Sequence, residues 1–312
     1  MNIIYNGETD PRAMKQGIID AAKNVMQDEK CVWLEADLAG CDGVKSLFGE
    51  SERYINCGIA ESNMVGICAG LSSNGMKPFC HSFAPFVSRR TFDQAFLSAG
   101  YAGNPITVIG TDPGICAAFN GGTHMPFEDT GVYRMIPEST VCDATDYAMT
   151  KFFIEHAKDM PGVKYIRAQR KAFKTFYKDD AKFEIGKGIV VREGADCVII
   201  ACGIMLAEAM QAAEKLSNEG IECTVIDPFT IKPLDVELIR EYAKKCGKVV
   251  VAENHNKIGG LVSAVQDAIV DLGAKFGYVA IEDEYGQVGP QDYLREVYKL
   301  TDDHIAEVVK SL

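Results

Sequence analysis

The stretch Arg53-Tyr54-Ile55-Asn56-Cys57-Gly58-Ile59-Ala60-Glu61-Ser62-Asn63-Met64 decides how the rest of the chain is read. Its first half, Tyr54–Cys57, is short, β-rich and stopped by a glycine, the pattern of a strand end. The next run, Ser62–Ser73, is a helical pattern rich in apolar and small residues, among them Val65, Gly66, Ile67, Cys68, Ala69 and Gly70. A strand that hands over to a helix is half of a β-α-β unit, and a sheet assembled from such units is mostly parallel. Glu61 opens that helix. A glutamate in a first turn is ordinarily a partner for the helix dipole. In an apolar setting the same carboxyl can donate or accept a proton, so Glu61 is the first candidate for chemistry.

The alternation continues on both sides. Strands are predicted at Cys31–Glu35, Pro78–Ser82, Ile106–Gly110, Thr140–Asp143 and Lys164–Ala168, with helices near Pro11–Met26, Thr91–Gly100 and Asp146–His156. A basic, aromatic stretch follows, Arg170–Lys182, with Lys171, Lys174, Lys178 and Lys182; it reads as a solvated linker. Strands then resume at Gly188–Arg192, Cys197–Ala201, Cys223–Ile226, Lys248–Ala252 and Tyr278–Ile281. Helices are predicted near Leu206–Ser217, Val236–Cys246, Leu261–Leu272 and Asp292–Tyr298. The fold class is α/β: two domains, 1–180 and 185–312, each a mostly parallel sheet flanked by helices. The length of 312 residues agrees, at roughly 150 residues per domain.

Lys plus Arg total 32 and Asp plus Glu 44, a formal charge of −12. That balance opposes binding to nucleic acid or to an anionic membrane surface. It permits a small anionic ligand, because a few arginines can dominate a local field. No apolar run is long enough to span a bilayer, and residues 1–13 lack the basic flank and apolar core of a signal peptide. The eleven cysteines are scattered, without a C-x-x-C pair or a zinc-spaced quartet, which points to a reducing, cytoplasmic setting.

In open α/β sheets, ligands lie beyond the carboxyl ends of the strands. Those ends carry Asp37, Glu61, the run His81–Phe86 with Phe83 and Phe86, and the loop Thr111–His124 with Asp112, Asn120 and His124. Aromatic residues such as Phe83 and Phe86 are most often core, and a loop histidine is most often a surface residue. Arg89 and Arg90 give the Phe86 segment a cationic edge. Long glycine-rich loops at sheet ends are often functional, but this one matches neither G-x-G-x-x-G nor a P-loop. Arg12 precedes the first helix and Arg170 follows the strand Lys164–Ala168. Two guanidinium groups at one sheet edge would suit a phosphate or sulfonate. Glu253, His255, Gly259 and Gly260 follow a later strand and read as structural.

Taken in order, Arg53–Met64, Ser82–Phe86, Gly122-Thr123-His124-Met125-Pro126-Phe127-Glu128-Asp129 and Ile226–Asp235 resemble the transketolase family of thiamine-diphosphate enzymes. The resemblance covers essentially the whole chain but only part of a full-length transketolase, because no Gly-Asp-Gly metal motif is present. It therefore implies the pyrimidine-binding and C-terminal domains of a split, two-subunit enzyme. The partner would be an N-terminal subunit with the diphosphate-binding domain, two copies of each chain giving a heterotetramer. It implies thiamine diphosphate as cofactor, with Mg2+ or Ca2+ held by the partner's ligands. It implies ketol transfer between small sugars.

Position by position, the resemblance makes Glu61 the activating glutamate, with Phe83, Phe86, Arg89 and Asp37 around the cofactor. It makes His124 a catalytic and substrate contact, with His81 beside the substrate. It gives Arg12 and Arg170 the substrate phosphate. Three positions depart from the family pattern. Cys41 stands where a phosphate-holding Ser is common, Asp112 where a donor-contacting His is typical, and Asn120 where an Asp reads the donor's C2 hydroxyl; Phe119 replaces a preceding Glu. A non-standard ketose is expected, such as a sulfonated sugar (sulfofructose) or a branched one. The rival readings are a 2-oxoacid dehydrogenase β-type subunit, a deoxyxylulose-phosphate synthase and a non-catalytic regulatory subunit of the same fold. The Gly122–Asp129 and Thr230–Asp235 blocks favour transketolase over the dehydrogenase.

Overall fold

The continuous apolar runs become buried strands, as a parallel sheet covered on both faces requires. The structure is a computed structural model that describes residues 3–312. The strands are β1 (Thr9–Ala13), β2 (Cys31–Glu35), β3 (Tyr54–Asn56), β4 (Lys77–Phe83), β5 (Ile106–Thr111), β6 (Thr140–Asp143), β7 (Val163–Ala168), β8 (Ala172–Lys174), β9 (Ile189–Arg192), β10 (Cys197–Ala201), β11 (Cys223–Asp227), β12 (Thr230–Lys232), β13 (Lys248–Asn256) and β14 (Lys275–Ile281). Two compact units result. One holds the chain up to Pro113 with Val132–Phe183; the other holds Gly114–Gly131 with Glu184–Leu312.

In the first unit the strand order is β6-β7-β5-β4-β2-β3, with every neighbouring pair parallel. The register is what positions a site. Glu35 at the end of β2 lies opposite Asn56 of β3 and His81 of β4. Phe83 lies opposite Thr111, and Thr111 opposite Ala168. The carboxyl ends of five strands therefore share one edge. The segments leaving it carry Asp37, Glu61, Phe86, Asp112 and Arg170. Gly110 tightens this edge: a Cβ there would stand 3.0 Å from the Ala84 Cα, so its absence lets helix Ala84–Arg89 start close against β5.

The helix expected from Pro11 begins at Lys15, because Thr9–Ala13 is the strand β1. It pairs antiparallel with β8, Thr9 opposite Lys174 and Ala13 opposite Ala172. The solvated-linker reading of Arg170–Lys182 is corrected by the same ribbon. Lys171, Lys178 and Lys182 are exposed, but Phe176 and Tyr177 are fully buried. Their amides donate to Asp146 Oδ2, both at 2.9 Å. Asp146 Oδ1 accepts the Met149 amide at 3.0 Å and caps helix Tyr147–Ala157. One buried carboxylate thus ties a helix start to the returning chain.

The second unit has the order β14-β13-β10-β11-β9, parallel except for β9 on β11. The loop Gly114–Gly131 belongs to this unit, whereas the predicted division at 180 places it in the first domain. The reason is local. The Ile115 amide donates to Asn254 Oδ1 at 3.0 Å, and Gly114, at φ +54°, has no room for a Cβ against the Asn254 carboxamide. Glu253 accepts the amides of Leu261 and Val262 at 2.6 and 2.8 Å, capping helix Leu261–Ile269. That geometry matches the structural reading of Glu253.

Among the described residues no helix is long and apolar enough to cross a membrane. The cysteines form no disulfide there, and eight of the eleven are buried. Replacing Asp146 by alanine removes the cap and leaves two buried amides without their acceptor. The expected loss is about 2–4 kcal/mol in urea denaturation. A loss below about 0.5 kcal/mol, the level of an ordinary surface substitution, would restore the linker reading.

Candidate active site

Glu61 is the first residue of helix Glu61–Ser73 and is only 4% exposed. A carboxylate with so little water needs a charged or N–H partner. Arg90 supplies it: Nη1 lies 2.9 Å from both Glu61 oxygens. The same guanidinium is stacked on Phe86, its carbon 4.2 Å from the ring centroid. Phe83 meets Phe86 edge-on at 6.1 Å. The Ser62 hydroxyl donates to the Arg90 carbonyl and ties the two helix ends together. A buried carboxylate, an aromatic face and a flat cation bridging them therefore form one cluster. Arg90, which the sequence reading set only at the cationic edge of this segment, reaches Glu61 and Phe86; it and the predicted Arg89 are both exposed at the helix end.

A second cluster lies along the β1–β8 ribbon. The amides of Met14 and Lys15 donate to the carbonyls of Lys171 and Arg170, each at 3.2 Å, so the segments bearing Arg12 and Arg170 run side by side. Neither guanidinium is bare. Arg12 meets Asp10 at 2.8 Å and Asp179 at 2.7 Å, and it lies 3.8 Å above the Tyr147 ring. Hydrogen bonds that it donates to Asp179, then to Asp10, hold its pKa above the usual arginine value. The Arg12 side chain in turn holds the Asp10 carboxyl below the usual carboxylate range.

Arg170 Nε lies 2.9 Å from Asp112 Oδ2, and its backbone N–H donates to Asp112 Oδ1 at 3.1 Å. Burial works against the charged Arg170, but Asp112 keeps its pKa above normal, and the Cys41 thiol is close enough to contribute. Its guanidinium carbon is 4.9 Å from the Phe83 ring. Asp112, Arg170 and Phe83 are thus brought together. Asp112 has φ +53° and Asp37 φ +58°. Aspartate tolerates this left-handed region better than most residues, and such backbone is common where a site must be aimed.

Other predicted residues fall elsewhere. Asp37 is exposed and accepts from the Asn56 side chain at 3.1 Å. His81 has no exposed surface; its Nε2 is 3.1 Å from Thr111 Oγ1, which places it inside the sheet rather than on an open face. Asn120 and His124 belong to the second unit. Asn120 is exposed, as is Phe119, and His124 Nδ1 lies 2.9 Å from Thr123 Oγ1. In the same loop Ala118 is held at φ +48°, ψ −118°. The partners Asp10 and Asp179 carry no signal in the sequence, where they sit among ordinary surface charges. Among the described residues no group of three or more His, Cys, Asp or Glu side chains could hold a metal ion.

Comparison with known proteins shows the family of both halves of the chain. Residues 11–175 match the family described as the transketolase pyrimidine-binding domain, and residues 186–305 the transketolase C-terminal domain. The chain is 41% identical over 304 residues to the 6-deoxy-6-sulfo-D-fructose transketolase subunit SqwH of Clostridium sp. (strain MSTE9), covering 96% of this chain and 94% of that protein. It is 32% identical over 263 residues to an apulose-4-phosphate transketolase subunit of Phocaeicola vulgatus, with 83% of each covered. A solved structure of a split-gene transketolase, an inactive beta4 tetramer, superposes with a TM-score of 0.86 at 33% identity, over 97% of this chain and 98% of that one. The chain belongs to the transketolase family, of which it carries the pyrimidine-binding and C-terminal domains.

Proposed function

We propose that this chain is the pyrimidine-binding and C-terminal subunit of a two-subunit, cytoplasmic transketolase. It moves a two-carbon ketol unit from a ketose bearing a terminal phosphate or sulfonate to an aldose phosphate. The observation that carries the reading is the buried Glu61 carboxylate beside the Phe83–Phe86 pair. Thiamine diphosphate fits that cluster on chemical grounds. Arg90 already makes the two contacts an aminopyrimidine needs: a flat group on the Phe86 face, and an N–H donated to Glu61. When bound, thiamine diphosphate supplies the thiazolium carbon that attacks the ketose carbonyl.

Glu61 holds a proton at the pyrimidine nitrogen N1′. Burial keeps water from competing for that proton. Phe86 and Phe83 orient the ring, a stack adding about 0.5–1.5 kcal/mol beyond burial alone. Arg12 and Arg170 hold the terminal anion of the sugar, with Cys41 beside Arg170. Asp37 is assigned to the cofactor end, and Asn120 and His124 to the substrate oxygens, on the family resemblance. A sulfonated or branched ketose is the favoured donor; the names of the two similar subunits, for 6-deoxy-6-sulfo-D-fructose and apulose 4-phosphate, support this.

The partner is an N-terminal subunit that grips the diphosphate through Mg2+ or Ca2+, and the assembly is a heterotetramer. The similar solved structure, a beta4 tetramer described as inactive, supports dependence on a partner.

Two outcomes follow. Glu61→Gln in the reconstituted enzyme should lower the ketol-transfer rate by roughly 10²–10⁴ while leaving assembly intact by size-exclusion chromatography. An unchanged rate would favour a non-catalytic subunit. The purified chain without a partner should show no ketol transfer in a coupled aldose assay. Robust activity from it alone would refute the two-subunit reading.

A further inference from the structure

Both arginines assigned to the sugar's terminal anion are already paired with carboxylates. Asp112 takes the Arg170 Nε at 2.9 Å and its backbone amide at 3.1 Å, and it is buried behind that guanidinium. Asp10 and Asp179 take Arg12 at 2.8 and 2.7 Å. Two guanidinium groups therefore meet three carboxylates, so these five side chains together carry one net negative charge before a ligand arrives. Tyr147 beneath Arg12 adds no positive charge, and its hydroxyl donates to a further carboxylate, Asp20, at 2.9 Å. Each further negative charge brought to such a cluster is resisted, and the resistance doubles for a dianion. A sulfonate carries one charge throughout the physiological range. A phosphate monoester takes its second charge above a pH of about 6.

Resting on the transketolase reading, we propose that Asp112 is a positioning and specificity-determining residue: it aims Arg170 at the terminal anion and cancels one positive charge, so that the site selects a singly charged end group over a dianion. The contacts explain how one residue does both. The bond to the Arg170 backbone fixes where the side chain starts, and the bonds from Nε and Nη2 to Asp112 Oδ2 fix its plane, which leaves the Nη1 side of the guanidinium for the ligand. The positive φ of Asp112, +53°, is what turns its carboxylate back toward Arg170.

The test compares two ketoses that differ only in a terminal sulfonate or phosphate, using the reconstituted two-subunit enzyme at pH 7.5. The wild type should favour the sulfonate in kcat/KM. Asp112→Asn keeps the shape and removes the charge, and it should move the ratio toward the phosphate by about tenfold. The shift should appear mainly in KM. Asp179→Asn, at an exposed and screened position, should move it the same way by less. As a readout apart from turnover, thermal shifts with methanesulfonate and methyl phosphate should show the same change of preference. If Asp112→Asn weakens both ketoses equally, or moves the ratio less than about twofold, the inference is overturned while the transketolase reading stands. If the wild type transfers from neither ketose, that reading falls and takes the inference with it.

Discussion

A carboxylate at the start of an apolar helix cannot stay buried and charged without a partner, and this constraint organises the candidate site. Glu61 is 4% exposed, and Arg90 answers it with both carboxylate oxygens at 2.9 Å. To reach Glu61, Arg90 must stand at the end of helix Ala84–Arg89, which starts close against β5 because residue 110 is glycine. Phe86 then lies under the guanidinium. A packing detail in the sheet, a helix start and an aromatic face are thus consequences of one electrostatic requirement.

The second cluster obeys a different rule. Arg12 lies on, and Arg170 just before, a two-stranded ribbon outside the main sheet. Asp10 and Asp112 are buried, while water competes for the Arg12–Asp179 pair. Exposed pairs of this kind contribute little to stability. Their arrangement is better understood as aim and charge balance than as a fold determinant. In this cluster of an acidic chain each guanidinium is limited by at least one carboxylate. That distinguishes a selective anion site from an indiscriminate basic patch.

Much of the first layer was legible in the sequence. The bounds of β2, β6 and β10 and of helix Val236–Cys246 coincide with the predicted ones, because buried apolar runs and clear helix patterns announce themselves locally. The ribbon was not legible. Thr9 pairs with Lys174, and nothing near either residue signals so distant a partner. Pro11 reads as a helix start and the lysines as solvent, while the buried Phe176 and Tyr177 decide the outcome. The Arg90–Glu61 contact was not legible either, because it depends on side-chain direction at a helix end, where sequence is least informative. The charge state of the anion cluster was hidden likewise, since Asp10, Asp112 and Asp179 come from three separate segments.

The central claim is that the chain serves ketol transfer rather than decarboxylation or a purely structural task. The most direct measurement is 13C NMR of the reconstituted two-subunit enzyme, given a ketose labelled at C1 and C2 with an unlabelled aldose phosphate. The two labelled carbons are expected to appear together, still bonded, in a ketose two carbons longer than the acceptor. Labelled carbons that remain in the donor, while the same enzyme releases CO2 from a 2-oxo acid, would contradict the claim.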